Sequence, residues 1–345
     1  MLPLELILGG AILISLTLYV LFAGADFGAG VWFLFARGKH ADAERRLITE
    51  AIGPIWEANH VWLILVVVLL FTAFPPAFSR ISILLHIPLT LMLIGIVLRG
   101  STFVFRNYDV RPEEIHQVWE KIFALSSVMT PFLLGVIIGA IASGRLTMEG
   151  NNFFEVYVRP WLQPFPLAVG CFAFSLFVLL AAVYLIQESQ DPFLQDLFGR
   201  RALWTAGASM LLAVVVLWLA RVGAPEISQG LHRNPWGIFC LASASLAGLC
   251  AIGFLWTRHY ILARAAVVGQ VCFIIWGWGF AQYPFLVEPD LTLMNAAAPE
   301  QTLMLMLIFL VLGSLLLFPS LYYLFRVFKT HAILPQSEEQ ADQKQ

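Results

Sequence analysis

GPIWEANHVW, residues 53–62, opens an apolar run that continues to Phe74. Within this stretch Glu57, Asn59 and His60 stand where a lipid-facing helix would carry only apolar side chains. An unpaired charge inside a membrane costs several kcal/mol, so a polar side chain there usually faces the interior of a helix bundle and serves a function. The stretch therefore predicts a membrane helix that turns chemically useful groups toward its neighbours.

The composition places the whole chain in the membrane. Of its 345 residues 60% are hydrophobic and only 12% are charged, with a mean hydropathy of +0.82. Ordinary soluble domains are about 45–50% apolar and about 25% charged. The net charge of -2 and the absence of a basic run exclude nucleic acid as a partner. These values predict an integral membrane protein.

Apolar runs of about 20 residues, the length that crosses a bilayer, predict nine transmembrane helices and an all-α fold. The N-terminus has no basic region or cleavage site typical of a signal peptide, so the first run is interpreted as a retained span. Residues 1–330 are expected to form one membrane domain, and residues 331–345 a polar cytoplasmic tail. The predicted spans are 4–35, 51–74, 81–105, 119–142, 164–186, 202–220, 237–256, 261–280 and 302–325.

The distribution of basic residues predicts the orientation. Fifteen of the 20 Lys and Arg residues fall in the odd-numbered loops, at their span ends or in the C-terminal tail. Because basic residues concentrate on the cytoplasmic side, the N-terminus is expected outside and the C-terminus in the cytoplasm. The acidic loop at residues 281–301 is then expected to form an external cap.

Three ionisable residues are predicted to share one layer of the membrane near its cytoplasmic side. Asp26 lies in the second half of the first span, Glu57 early in the second and Arg99 late in the third. Arg99 could neutralise Asp26 or Glu57 as a buried ion pair, or extend to the membrane surface. Arg99 can neutralise only one of these two carboxylates, so the other would remain without a partner. Glu57 is the favoured functional residue, because a buried unpaired carboxyl can carry protons.

His60 lies three residues after Glu57 and shares its helix face, as a metal or haem ligand could. A second histidine within a span, His86, is predicted near the opposite end of the membrane, so a haem held between the two is not expected. The alternative is that His60 hydrogen-bonds within the bundle. No zinc, phosphate-loop or dinucleotide motif is present, and no metal site is predicted.

Several motifs in the same order along the chain resemble subunit II of the bacterial cytochrome bd-type quinol oxidases. GADFGAG (24–30) resembles the family stretch D-G-F-D-x-G-x-G, and GPIWEANHVWL (53–63) resembles A-P-x-W-D-G-N-x-x-W-L. Three further stretches are similar to parts of the family. LFTAFPPAFS (70–79) is similar to the proline turn after span two, and LRGSTFVFR (98–106) to the arginine-bearing end of span three. AQYPFLVEPDLT (281–292) is similar to the outer loop before the last span.

The resemblance implies two four-helix bundles plus one peripheral helix in the bacterial inner membrane. It implies a heterodimer with a haem-bearing subunit I, which oxidises quinol and reduces dioxygen to water. The b-type and d-type haems would belong to that partner and none to this chain. Some family members hold a structural quinone in this subunit. Membrane lipid, quinol and a small single-span accessory subunit are the other expected partners.

The resemblance also implies roles for individual residues, while no catalytic residue is expected in this chain. Glu57 matches a carboxylate in a proton pathway from the cytoplasm, and Trp62 matches a tryptophan that lines an oxygen channel. His60 is a second candidate for the proton pathway, although it stands where the family often has another polar residue. Asp26, Arg99 and Asn59 match structural polar positions. Glu57-Ala58 replaces the usual Asp-Gly of the family, which shifts the reach of the carboxylate.

Two other classes of protein remain open at this point. A secondary transporter could use Asp26, Glu57 and Arg99 to bind an ion or substrate, although Gly53-Pro54 reads as a helix start and not as a break at mid-membrane. A haem-binding cytochrome in its own right is the third hypothesis, and stoichiometric haem in the isolated chain would support it.

Overall fold

The computed structural model describes residues 3–52, 56–108 and 113–331, with the backbone alone at 52, 56–58, 103–108, 113–117, 324–325 and 327–331. The predicted cytoplasmic tail lies outside these ranges apart from His331. The helices of the described part are α1 (Leu4–Phe35), α2 (Ala41–Ile52), α3 (Trp56–Ala73), α4 (Pro75–Leu84), α5 (His86–Tyr108), α6 (Glu113–Ile141), α7 (Phe153–Tyr157), α8 (Pro164–Glu188), α9 (Pro192–Gly223), α10 (Pro225–Arg233), α11 (Pro235–Trp256), α12 (Tyr260–Gln282) and α13 (Glu300–His331).

The long helices pack as two groups of four. In the first group α1 contacts α3 and α6, and α5 contacts α6. In the second group α8 packs on α9 and α12, and α11 packs on α9 and α12. The two groups meet mainly through α1 against α8 and α6 against α8. Helix α13 contacts α1 and α3 at the edge, with almost all of its apolar surface exposed.

The glycines of α1 explain the close contact between the two groups. A Cβ at Gly28 would stand 2.1 Å from the carbonyl oxygen of Phe177 in α8, and one at Gly24 would stand 2.7 Å from a methyl of Leu180. Small residues four apart let helix backbones approach closely. The face of α1 that carries Gly24 and Gly28 is thus turned toward α8.

Short helices α4 and α10 occupy equivalent places in the two groups. Each follows a long helix, begins with proline and starts after a residue outside the helical region, Phe74 (φ -134°) or Ala224 (φ -153°). The residue before proline is restricted away from helical angles, so the chain must turn there. Helix α4 is bent by 117° from the residues 59–73 of α3.

The predicted third span at 81–105 therefore needs a correction. Residues 81–84 belong to α4, and the helix of this span begins at His86. Pro75 and Pro76, expected to close a turn, instead start α4. Similarly, α9 begins at Pro192, ten residues before the predicted range, because the side chain of Asp191 accepts a hydrogen bond from the N–H of Phe193 and caps the helix.

A small antiparallel hairpin, β1 (Phe285–Val287) with β2 (Leu291–Thr292), adds to the helical architecture. It lies in the acidic loop that was expected to be an external cap. The loop is fixed to the first group of helices, because the N–H of Ala298 donates to the carbonyl of Ala73 at 2.9 Å and Arg80 of α4 pairs with Asp290.

Candidate functional site

The polar centre of the first group of helices is an ion pair between Asp26 of α1 and Arg99 of α5. The guanidinium donates to both carboxylate oxygens, at 2.6 and 2.7 Å, and to the backbone carbonyl of Asp26 at 2.9 Å. Arg99 is only 2% exposed. A two-pronged bond of this kind is directional as well as strong, so it fixes α1 against α5. Of the two carboxylates considered for Arg99, the structure places Asp26 against it.

The surroundings of Arg99 satisfy the rest of its charge. Its Nε donates to Ser127 Oγ of α6 at 3.2 Å, and its guanidinium carbon lies 4.4 Å from the ring centre of Phe27 and 5.0 Å from that of Phe123. Aromatic faces attract cations, and more strongly when water is excluded. A Cβ at Gly30 would lie 2.2 Å from Ser127 Oγ, so glycine is required there for α1 and α6 to approach.

Asn59 and His60 of α3 present buried polar atoms without partners. Asn59 is 1% exposed, and neither its Oδ1 nor its Nδ2 has a hydrogen-bond partner in the described part of the chain. The same holds for Nδ1 of His60, whose ring lies 6.5 Å from Tyr19 and 6.4 Å from Phe27. Buried polar groups almost always bind a partner or an ordered water. These atoms can therefore hold water inside the bundle.

Thr130 of α6, one turn beyond Ser127, is a further buried polar residue that was missed from the sequence. It is buried, and its Oγ1 has no partner within the described ranges, whereas Ser126 and Ser127 both bond back to the carbonyl of Phe123. Pro131 has no N–H, so it leaves the carbonyl of Ser127 without its usual helix donor. The sequence SSVMTP, with hydroxyls at i and i+3 before a proline inside an apolar helix, could have revealed this gap.

Glu57 lies in the first turn of α3, but its side chain is outside the described residues. Its role therefore stays a prediction.

Trp62, one and a half turns further along α3, is buried, and its ring centre lies 6.2 Å from that of Phe318 in α13. The side chain thus lies between the first group of helices and the peripheral one. Among the described residues no group of three His, Cys, Asp or Glu side chains could hold a metal ion.

A second feature is an apolar cavity of about 260 Å³ between the two groups of helices. Its walls come from α1, α6, α8, α9, α10, α11 and α12, and the lining side chains that carry a polar N–H or O–H group are Ser245, Gln270 and Trp278. Gln270 is buried, with its amide nitrogen 3.7 Å from the sulfur of Met210. A largely apolar cavity with one or two fixed polar groups is the usual form of a site for a lipid-soluble molecule.

Comparison with known proteins decides between the classes left open by the sequence. The family model for cytochrome bd terminal oxidase subunit II matches residues 4–328. This chain belongs to that family. It is 25% identical over 334 residues to cytochrome bd ubiquinol oxidase subunit 2 of Bacillus subtilis, covering 89% of this chain and 91% of the relative. It is 28% identical to cytochrome bd-I ubiquinol oxidase subunit 2 of Escherichia coli over 47% of this chain and 43% of that one.

The fold agrees with the family. A chain in the structure of bd oxidase from Geobacillus thermodenitrificans superimposes with a TM-score of 0.77 at 25% identity, over 94% of this chain and 98% of that chain. The subunit II family functions with a subunit I, in which the haems of bd oxidases are generally held. The chain is therefore a multi-pass protein of the bacterial inner membrane and a subunit of an oxidoreductase, and the transporter hypothesis finds no support.

Proposed function

We propose that this chain is the haem-free subunit of a quinol oxidase, forming a heterodimer with the haem-bearing subunit I. The main support is the match of the family model to residues 4–328, together with the superposition on a bd oxidase chain over 94% of this chain. The haems of the partner would supply the electron transfer from quinol to dioxygen. This chain would stabilise the partner and guide protons and oxygen.

The proposal is tested by quinol-dependent oxygen consumption of the tagged complex in mild detergent. We expect consumption that requires added quinol and yields water. A complex that contains both subunits and intact haems but consumes no oxygen would contradict the oxidase function.

The proposed topology has nine crossings, with the N-terminus outside, one domain over residues 1–330 and a cytoplasmic tail at 331–345. Seven helices of the described part are long and apolar enough to cross a membrane, and α3 with α4 passes the same test as a bent pair. We assign the remaining crossing to α5, whose apolar portion His86–Thr102 is shorter. Helix α13 would be the peripheral span. The charge distribution supports this orientation.

Proton entry is proposed through Glu57 and His60 from the cytoplasmic side. The support is the set of partnerless polar atoms on Asn59 and His60, which can order water next to the position of Glu57 on the same helix. Asp26 and Arg99 would not carry protons, because each already satisfies the charge of the other. The pair would instead hold α1, α5 and α6 in the arrangement that the pathway needs.

Oxygen access is proposed along Trp62, where α3 and α13 meet. An apolar solute such as dioxygen partitions into the membrane, and Trp62 is buried against Phe318 of α13, a helix whose apolar surface is almost entirely exposed. We expect Trp62→Ala to raise the KM for oxygen, because α13 settles onto α3 once the large ring is gone. The quinol KM should not change, and Trp62→Phe should behave as the wild type. An unchanged oxygen KM in Trp62→Ala would contradict this role.

The apolar cavity fits a structural quinone. Its size and lining suit part of an isoprenoid chain, and the amide of Gln270 could bond a quinone oxygen. We expect Gln270→Leu to lower the quinone extracted per mole of purified complex. Ser245→Ala is the matched control, because the Ser245 hydroxyl already bonds to the carbonyl of Leu241 at 2.8 Å. Equal quinone content in wild type and Gln270→Leu would contradict the assignment.

A further inference from the structure

Glu288 is a buried acid in the outer loop, far along the chain from the residues considered so far. It follows β1, is 3% exposed, and its Oε1 has no hydrogen-bond partner in the described part of the chain. None of the ion pairs that the described residues form includes it. A buried carboxylate without a partner is costly, so this carboxyl needs a proton or another ligand.

The carboxyl is held in place by the turn after α6. Gly144 has a φ of +67°, and a Cβ there would stand 3.1 Å from Glu288 Oε2. The hairpin itself is anchored on two further sides. Leu293 packs so closely on Gly9 of α1 that a Cβ at Gly9 would be 2.7 Å from its methyl group, and Asp290 pairs with Arg80. The position of Glu288 is therefore fixed by several elements.

A cavity of about 350 Å³ gives Glu288 access to water. It lies between α10, the end of α12 and the hairpin. It is large enough to hold water. Its lining combines Glu288 and Glu226 with Gln229, Arg233, Asn234 and a patch of apolar residues from 280 to 285.

The charges around the cavity do not neutralise Glu288. Glu226 adds a second negative charge, while Arg233 is exposed and donates to Gln229 Oε1 at 3.0 Å. On the other sides Arg80 is paired with Asp290, and Arg145, next to Gly144, is exposed. Arg233 thus lines the cavity but forms no ion pair with the buried carboxyl in the described part of the chain, and His232 of α10 is exposed, with its Nδ1 2.7 Å from the carbonyl oxygen of Ser228.

We propose that Glu288, with Glu226 beside it, forms a proton-binding site on the outer face of this subunit. The ligand is a proton taken from the water of the outer cavity. With the proton bound, the hairpin closes over a neutral carboxyl. When the proton leaves, a negative charge remains buried next to Glu226, and the hairpin opens toward water to solvate it. The site follows from the packing of the cap and does not depend on the oxidase activity.

The titration falls in the neutral range. Burial, and then the charge of Glu226, raise the pKa of Glu288 from 4.5 to about 7. Because the closed cap binds the proton more tightly than an open cap, closure is favoured at low pH. This advantage is lost as the pH rises from about 4.5 to about 7. Within that range, opening becomes up to about tenfold easier for each pH unit, and above it the equilibrium no longer changes with pH.

Hydrogen exchange of the backbone at residues 284–298 in the intact complex tests the site. Wild type and Glu288→Gln are compared at the same pH, which cancels the intrinsic pH dependence of exchange. At pH 8, above both pKa values, we expect the wild type to exchange up to roughly 300-fold faster than the variant, because the pKa of the carboxyl is about 7 in the closed cap and about 4.5 in the open one. At about pH 4, below both pKa values, the two should exchange nearly equally.

Two further variants keep the test decisive. Glu226→Gln should lower the pKa of Glu288, because it removes the neighbouring negative charge. The closed cap then tolerates the ionised carboxyl better, so the loop should exchange more slowly than in the wild type at pH 7. Glu149→Gln, an exposed acid near the turn after α6, should behave as the wild type. The proposal is overturned if wild type and Glu288→Gln exchange equally at pH 8. It is also overturned if calcium ions slow exchange at pH 8 in the wild type alone, which would make the ligand a metal ion.

Discussion

Arg99→Leu is expected to prevent accumulation of the intact complex. The substitution removes the partner of Asp26 and leaves a carboxylate buried among α1, α5 and α6 without compensation. Breaking one side of a buried ion pair costs about 3–5 kcal/mol, a large part of the stability of a typical domain. The measurement is the yield of the complex from membranes, read by a tag on this subunit and by the haem content of the preparation.

Two controls separate the buried pair from a general loss of positive charge. Arg46→Leu removes an ion pair whose side chains are 80% and 69% exposed, so its effect should be small, about 0–1 kcal/mol. The double variant Asp26→Leu with Arg99→Leu removes both charges and should recover part of the yield lost in Arg99→Leu. A normal yield of Arg99→Leu would show that the pair does not hold the first group of helices together.

Glu57→Gln is expected to slow oxygen reduction while the complex assembles normally. Glutamine keeps the size and polarity of the side chain but cannot release a proton. If protons reach the reaction through this residue, turnover should fall by at least about tenfold, equivalent to ~1.4 kcal/mol in the barrier. The measurement is quinol-dependent oxygen consumption per mole of haem, together with proton uptake by the complex in vesicles.

The matched control is Glu50→Gln, which neutralises an exposed acid two turns earlier in the chain. It should leave turnover unchanged. Glu57→Asp restores the carboxylate of the usual family pattern and should retain most of the activity. Full turnover of Glu57→Gln would contradict proton entry at this position and direct attention to His60 and Thr130.

The sequence predicted the long helices well because length and apolarity determine them. Leu4–Phe35 of α1 matches the predicted first span, and α8 begins at the predicted Pro164. The short helices were missed for physical reasons. Helix α2 is polar along one side, α4 is too short to register as a span, and α10 is both short and polar at its start. Their positions follow from prolines whose effect depends on the helices around them.

The candidate site was only partly predictable. Counting depth along the spans placed Asp26 and Arg99 in one layer, and the structure joins them. The contribution of Ser127, and the missing partner of Thr130, depend on how α6 rotates against α5, which periodicity does not determine. Glu288 gave no signal, because an acid in an outer loop looks solvated until the hairpin and Gly144 enclose it.

Purification of the tagged chain in mild detergent, followed by a reduced-minus-oxidised visible spectrum, tests the central claim most directly. Membership of the bd oxidase subunit II family predicts a larger co-purifying subunit and the bands of b-type and d-type haem, in a fixed ratio to this chain. A single chain without haem, obtained under conditions that keep membrane complexes intact, would contradict the account.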